Sequence, residues 1–120
     1  MIIINMKNLK VLKVDSDTIE FENGVKLYSS HDQNCCESHY LDFNDLKIED
    51  FKDLKFDLTN DDFFERIEGY GIALKSKNGF PVRIPGYGSN NGYYSSNIDL
   101  VVTNGKGFTK TYDISECQDY

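Results

Sequence analysis

The chain has 120 residues and 39% hydrophobic residues, enough for one modest core, so we expect residues 1–120 to form a single domain. Its net charge of −7 at pH 7, without a visible basic patch, argues against direct binding of nucleic acid. No apolar run approaches the ~20 residues that a membrane-spanning helix requires, and the first residues lack the charged region of a signal peptide, so we predict a soluble, cytoplasmic protein that does not bind a membrane.

The first quarter of the chain predicts three antiparallel strands, because apolar and charged residues alternate there between turn formers. A three-residue turn with Gly24 in the left-handed conformation sets Ile19 opposite Leu27. A four-residue loop between the first two strands sets Leu12 opposite Phe21. Both pairings keep apolar side chains on one face of the sheet.

A helix is predicted over about residues 35–43. Asn34 is a suitable N-cap residue, and Glu37 can complete a capping box three residues later. The helical spacing then directs three side chains into the core: Cys36, Tyr40 and Phe43. Similar spacing allows a second short helix around residues 48–55. The predicted fold class is therefore α+β, mainly an antiparallel sheet of hairpins with one short helix.

Strands return from residue 66 onward. Pro81 lacks an N–H donor, so its strand lies at a sheet edge or the proline occupies an unpaired position. Residues 85–96 are rich in turn formers and predict a long loop. In a final hairpin, a two-residue turn at Asn104-Gly105 sets Asp99 opposite Lys110.

Two polar segments are the candidate binding site for a ligand or a partner protein. The first, at the start of the predicted helix, offers backbone N–H groups and polar side chains, and the second offers tyrosine rings for stacking and amides for hydrogen bonding. The candidate residues are His31, Asp32, Gln33, Cys35, Glu37 and His39 in the first segment, and Tyr87, Asn90, Asn91, Tyr93 and Tyr94 in the second.

Two other chemistries compete for the first segment. His31, Cys35 and His39 are four residues apart and could contribute to a zinc site, although all three are local and zinc usually takes two separated ligand pairs. Alternatively, Cys35 at a helix start could be a nucleophile with a lowered thiol pKa and His39 its base. The set matches no enzyme signature, so we assign no catalytic residue, metal ligand or cofactor. The structural alternative is that the segment only caps a helix and fills the core.

The segment from Asp42 to Glu68 contains ten acidic and four basic residues, a local charge of −6. Such a segment is commonly a solvated face. Its functional alternative is a decoy that imitates nucleic acid and docks on a basic protein surface.

The element His31-Asp32-Gln33-Asn34-Cys35-Cys36-Glu37, together with Asn-Gly-Tyr-Tyr-Ser-Ser at 91–96, resembles an uncharacterised group of short proteins from phages, prophages and their hosts. The resemblance implies an α+β fold and a host-cell cytosol setting, and it implies no activity. By analogy with small acidic phage proteins, we expect a non-enzymatic binding protein. It would inhibit host defence by binding a host protein or by sequestering a small nucleotide-like ligand.

Overall fold

A computed structural model describes residues 6–30, 38–59, 61–89, 97–105 and 107–118. Within these ranges the regular structure consists of nine β-strands and three single 3₁₀ turns, and no α-helix occurs there. The strands are β1 (Val11–Val14), β2 (Thr18–Phe21), β3 (Lys26–Ser30), β4 (Ser38–Leu41), β5 (Phe64–Ile67), β6 (Gly71–Leu74), β7 (Val82–Ser89), β8 (Asp99–Thr103) and β9 (Thr109–Asp113). The 3₁₀ turns are Glu22–Gly24, Ile48–Phe51 and Asp61–Phe63.

The strands form two antiparallel sheets. The first sheet has five strands in the order β1-β2-β3-β8-β9, and the second has four strands in the order β4-β7-β6-β5. The chain passes from the first sheet to the second after β3 and returns after β7. In the first sheet, β3, the last strand before the chain leaves, pairs with β8, the first strand after it returns. In the second sheet, the first strand in chain order, β4, pairs with the last, β7.

Both sheets bury side chains in one hydrophobic core. Ile19, Leu27 and Leu100 come from the first sheet, and Ile72 and Ile84 from the second, and none of the five is measurably exposed. The segment between β4 and β5 contributes aromatic residues that pack against this core. One of them, Phe56, also forms an isolated antiparallel bridge with Leu9, just before β1, through two backbone hydrogen bonds of 2.9 Å. No helix in the described ranges is long and apolar enough to cross a membrane.

The predicted helix over 35–43 is wrong where the structure describes it. Residues 38–41 form strand β4, which pairs along its whole length with β7. His39 and Leu41 are buried whereas Tyr40 is 44% exposed, which is the two-residue alternation of a strand. The capping residues Asn34 and Glu37 lie outside the described residues. Pairing with a strand more than 40 residues away thus outweighs the local helical spacing.

The second predicted helix, around residues 48–55, is also absent, because only the 3₁₀ turn Ile48–Phe51 forms. The Asp50 carboxylate accepts the Lys47 N–H at 2.9 Å, and the chain leaves the helical conformation at Lys52. Asp53 then adopts a left-handed φ of 62°, which a continuing helix cannot accommodate. The fold class is therefore mainly antiparallel β, not α+β with a helix.

The predicted pairing of β2 with β3 is confirmed, and that of β1 with β2 is partly wrong. Ile19 lies opposite Leu27, and Gly24 has a φ of 75° in the turn. In β1, however, an irregularity places Val11, not Leu12, opposite Phe21. The extra residue shifts the alternation of side chains between the two faces, so Val11 is buried and Leu12 is 60% exposed.

The final hairpin has a different register from the predicted one. Asp99 lies opposite Asp113, and Lys110 lies opposite Val102, because the connection is longer than two residues. In this register Tyr112 lies opposite Leu100, so both side chains reach the core. The predicted register would have turned Tyr112 to the other face, and core burial outweighs one charge pair at the surface.

Strand β7 extends through Ser89, so the loop predicted over 85–96 is wrong for residues 85–89, and the rest of that prediction lies outside the described residues. It is an inner strand between β4 and β6, and Pro81 precedes it at an unpaired position. Gly86 and Gly88 are strand residues whose open side is covered by the C-terminal segment. A Cβ atom at Gly86 would collide with the carbonyl oxygen of Cys117, and one at Gly88 with Oε1 of Gln118. The two glycines therefore allow this close approach.

Replacing each glycine by alanine should destabilise the protein by different amounts. Gly86→Ala meets a main-chain atom that cannot move alone, and we expect a loss of about 3 kcal/mol in the free energy of unfolding. Gly88→Ala meets the ends of the buried Gln118 and His39 side chains, which can shift only by weakening their hydrogen bond, and we expect about 2 kcal/mol. Urea denaturation of the two variants would measure this order, and a larger effect at Gly88 would contradict the packing described.

Candidate functional site

Two of the eleven predicted site residues lie in the part of the chain that the structure describes: His39 and Tyr87. The other nine lie outside it, namely His31, Asp32, Gln33, Cys35, Glu37, Asn90, Asn91, Tyr93 and Tyr94. The prediction for these nine residues stays a prediction.

The two described residues are on neighbouring strands but on opposite faces of the sheet. His39 in β4 lies opposite Gly88 in β7, and Tyr40 lies opposite Tyr87. Because side chains alternate along a strand, the His39 side chain is on the inner face and both tyrosines are on the outer face. The helical spacing predicts Tyr40 in the core, so sequence reasoning misses it as a surface residue. Alternation of faces along a strand over residues 38–41 predicts that Tyr40 is exposed.

His39 is a buried, oriented imidazole. Its side chain is 5% exposed, and Nδ1 lies 2.6 Å from Oε1 of Gln118. The Gln118 amide donates through Nε2 to the Ser115 carbonyl at 2.7 Å, so Oε1 is an acceptor and His39 Nδ1–H is the donor. The basic nitrogen of the neutral ring is therefore Nε2. Gly88 leaves the space in which this pair forms.

The outer face of the second sheet carries an exposed aromatic surface. The Tyr40 and Tyr87 side chains are 44% and 39% exposed, and their ring centroids lie 5.9 Å apart at an interplanar angle of 45°. Further along β7, the Arg83 guanidinium lies 5.9 Å from the ring centroid of Tyr70. We call these four residues, with the partly exposed Pro85 between Arg83 and Tyr87, the tyrosine face.

The tyrosine face stands on a firmly hydrogen-bonded base. The Asp42 N–H donates to the Pro85 carbonyl at 2.8 Å, and the Gly86 N–H donates to the Tyr70 carbonyl at 2.6 Å. Beneath it Leu41 and Ile84 are fully or almost fully buried. The backbone that presents the rings is thus tied on both sides, which lowers the entropy lost when a partner binds.

The acidic segment is at the surface, and part of its charge has a local structural role. Eight of its ten acidic residues are exposed, and Asp42 and Asp57 are partly buried. Asp42, Asp50 and Asp57 each accept a backbone N–H within a turn. Asp61 accepts hydrogen bonds from Lys110 Nζ at 2.6 Å and from Tyr112 Oη at 2.9 Å, which lower the pKa of its carboxyl group.

The two chemical alternatives at His39 depend on His31 and Cys35, which lie outside the described residues, so both stay predictions. Among the described residues, no group of three or more His, Cys, Asp or Glu side chains could hold a metal ion. His39 itself lies in strand β4 and not on the helix face that was expected to place it beside Cys35.

Cys117 is a free cysteine buried against β7. Burial, together with the neighbouring Glu116 carboxylate, raises the pKa of its thiol to about 11. A thiol that stays protonated at neutral pH is a poor nucleophile, so Cys117 is a core residue.

Three cavities lie away from the tyrosine face. One of about 260 Å³ lies between β1 and the Ile48–Phe51 turn, one of about 430 Å³ lies beside Phe80, and one of about 240 Å³ is lined in part by Asp57 and Lys75. None of these three cavities is lined by a described residue of the tyrosine face.

These features define a mainly antiparallel β protein, whose described residues form two sheets, the second with an aromatic outer face. By sequence, the chain belongs to a family described as a domain of unknown function (DUF7448), which matches residues 2–100. Comparison with curated proteins found no match, and comparison with solved structures found none either. The predicted membership of an uncharacterised family is thus confirmed. The phage association and the seven-residue element stay predictions.

The Cys117 thiol should be protected in the folded protein. At pH 8 we expect it to react with iodoacetamide about a hundredfold more slowly than in urea, because the thiolate fraction follows the raised pKa. Peptide mapping by mass spectrometry would separate Cys117 from the other cysteines. Equal labelling with and without urea would contradict its burial.

The same thiol should make stability depend on pH in the alkaline range. Because the folded pKa of about 11 lies above the ordinary 9.0, the contribution is complete below pH 9 and is lost as the pH rises towards 11. The free energy of unfolding should therefore fall more steeply in that range for the wild type than for Cys117→Ala, as measured by urea denaturation.

Proposed function

We propose that this protein is a non-enzymatic binding protein that docks on another protein through the tyrosine face. The observation that carries the proposal is the exposed Tyr40–Tyr87 pair on a hydrogen-bonded sheet. Tyrosine and arginine are enriched in protein interfaces, where their rings supply large contact areas at a small entropic cost.

A protein partner fits this surface better than a small nucleotide-like ligand does. Small ligands are usually held in concave sites that cover most of their surface, whereas Tyr40 and Tyr87 are 44% and 39% exposed on the outer face of the sheet. The three cavities described above have other linings. The resemblance to phage-associated proteins leads us to propose a bacterial host protein as the partner, in which case binding would inhibit a host defence.

The acidic segment supports a second candidate function, the decoy for a basic protein surface. Eight exposed acidic residues over residues 42–68 would attract such a surface electrostatically. The local hydrogen bonds of Asp42, Asp50, Asp57 and Asp61 give part of this charge a structural explanation. We therefore rank the decoy below the tyrosine face.

Capture from a bacterial host lysate would test the leading proposal. The tagged wild-type protein should enrich a specific protein that the double variant Tyr40→Ser/Tyr87→Ser loses by tenfold or more. Both side chains are partly exposed, so we expect the double variant to remain folded, with the thermal unfolding midpoint as the check. Phe108→Ser is the matched control, since Phe108 is a similarly exposed aromatic residue, at 37%, in the β8–β9 connection.

The outcomes separate the candidates. A partner captured equally by the wild type and the tyrosine double variant would exclude the tyrosine face. If that capture also weakened steeply with added salt, the decoy would become the leading candidate function, because an interface made of exposed charges is screened by ions. If the wild type enriches no protein, but a nucleotide leaves the purified protein on denaturation, the ligand-sequestering alternative is favoured.

A further inference from the structure

Phe80 is a nearly fully exposed aromatic side chain, at 91%, in the connection between β6 and β7. An isolated exposed aromatic residue is often found on a mobile loop, but this connection is anchored. Asn78 accepts the Lys55 N–H at 2.9 Å and donates to the Asp53 carbonyl at 2.7 Å. The Lys77 N–H also donates to the Lys55 carbonyl at 2.7 Å. The connection that carries Phe80 is thus tied to the segment from Asp53 to Lys55.

An apolar groove lies on the same surface. Its volume is about 260 Å³, large enough for a phenyl ring, and its apolar lining comes from Val11, Ile48 and Phe51. Ile48 is itself 43% exposed, which leaves apolar area uncovered. Lys52 lines this groove and also the cavity beside Phe80, so the two are neighbours. We call Phe80 and this groove the Phe80 patch.

The charges at the rim of the groove identify the occupant. Lys10 and Lys52 face Glu49 and Asp53 there, so the rim is electrically balanced although the whole chain carries −7. Two copies of so acidic a chain repel each other over most of their surface. A balanced rim removes that repulsion locally, and it offers each lysine an acidic group on an identical neighbour.

We propose that two copies of this chain associate through the Phe80 patch, with Phe80 of each copy inserted into the groove of the other. A surface that contains both the protruding ring and the groove that receives it is self-complementary about a two-fold axis, as the closed contact of a symmetric dimer requires. Burying two exposed phenyl rings and two apolar grooves supplies the hydrophobic driving force. This association does not depend on the proposed function, because it uses neither Tyr40 nor Tyr87.

Sedimentation equilibrium over about 5–200 µM, a range that detects micromolar dissociation constants, would test the dimer. The wild type should show a reversible monomer–dimer equilibrium. Phe80→Ser should weaken it by tenfold or more. At a concentration where both proteins are monomeric, it should keep the wild-type unfolding midpoint, because the side chain it shortens is already exposed. Phe108→Ser and the double variant Tyr40→Ser/Tyr87→Ser should dimerise as the wild type does.

Three results would overturn the proposal. They are a wild type that stays monomeric at 200 µM, a dimer that Phe80→Ser leaves unchanged, and a dimer that Phe108→Ser weakens as much as Phe80→Ser. Loss of the dimer in the tyrosine double variant alone would instead assign self-association to the tyrosine face.

Discussion

The arrangement of the second sheet depends on the close contact between strand β7 and the C-terminal segment. Gly86 and Gly88 leave space on one side of β7 because glycine has no side chain. The main chain of Cys117 and the side chain of Gln118 fill that space. A larger residue at Gly86 would push the Cys117 main chain away from β7, and one at Gly88 would displace the Gln118 and His39 side chains. This contact buries the Cys117 thiol and brings Gln118 within hydrogen-bonding distance of His39.

The same contact determines which residues of β4 can act at the surface. His39 is held on the inner side by Gln118, so its ring has a defined tautomer and orientation. Tyr40 and Tyr87 then necessarily point outward, since neighbouring residues of a strand alternate between faces. A buried polar pair and an exposed aromatic pair are therefore two consequences of one strand pairing. The outer pair supplies the exposed aromatic surface on which the proposed docking depends.

The two proposed contact surfaces use different parts of the fold. Tyr40 and Tyr87 of the tyrosine face lie on the paired strands β4 and β7, whereas the Phe80 patch combines hydrogen-bonded connections with the start of strand β1. The two sheets are also joined by aromatic contacts between β9 and the start of β5. Tyr112 packs there against Phe63 and Phe64, with ring centroids 5.6 and 5.1 Å from its own. Asp61 accepts the Tyr112 hydroxyl hydrogen bond at this junction. Part of the acidic segment therefore holds the sheets together.

The amino-acid sequence by itself determined most strands, the Gly24 turn and the Ile19–Leu27 pairing, because these follow from local alternation and turn chemistry. Tertiary structure alone decided that residues 38–41 are a strand, since their helical spacing was overridden by hydrogen bonds to β7, far along the chain. It also decided the Val11–Phe21 and Leu100–Tyr112 registers, where burial of a side chain outweighed the simplest turn. The exposure of Tyr40 follows from that same distant pairing, which local spacing could not show.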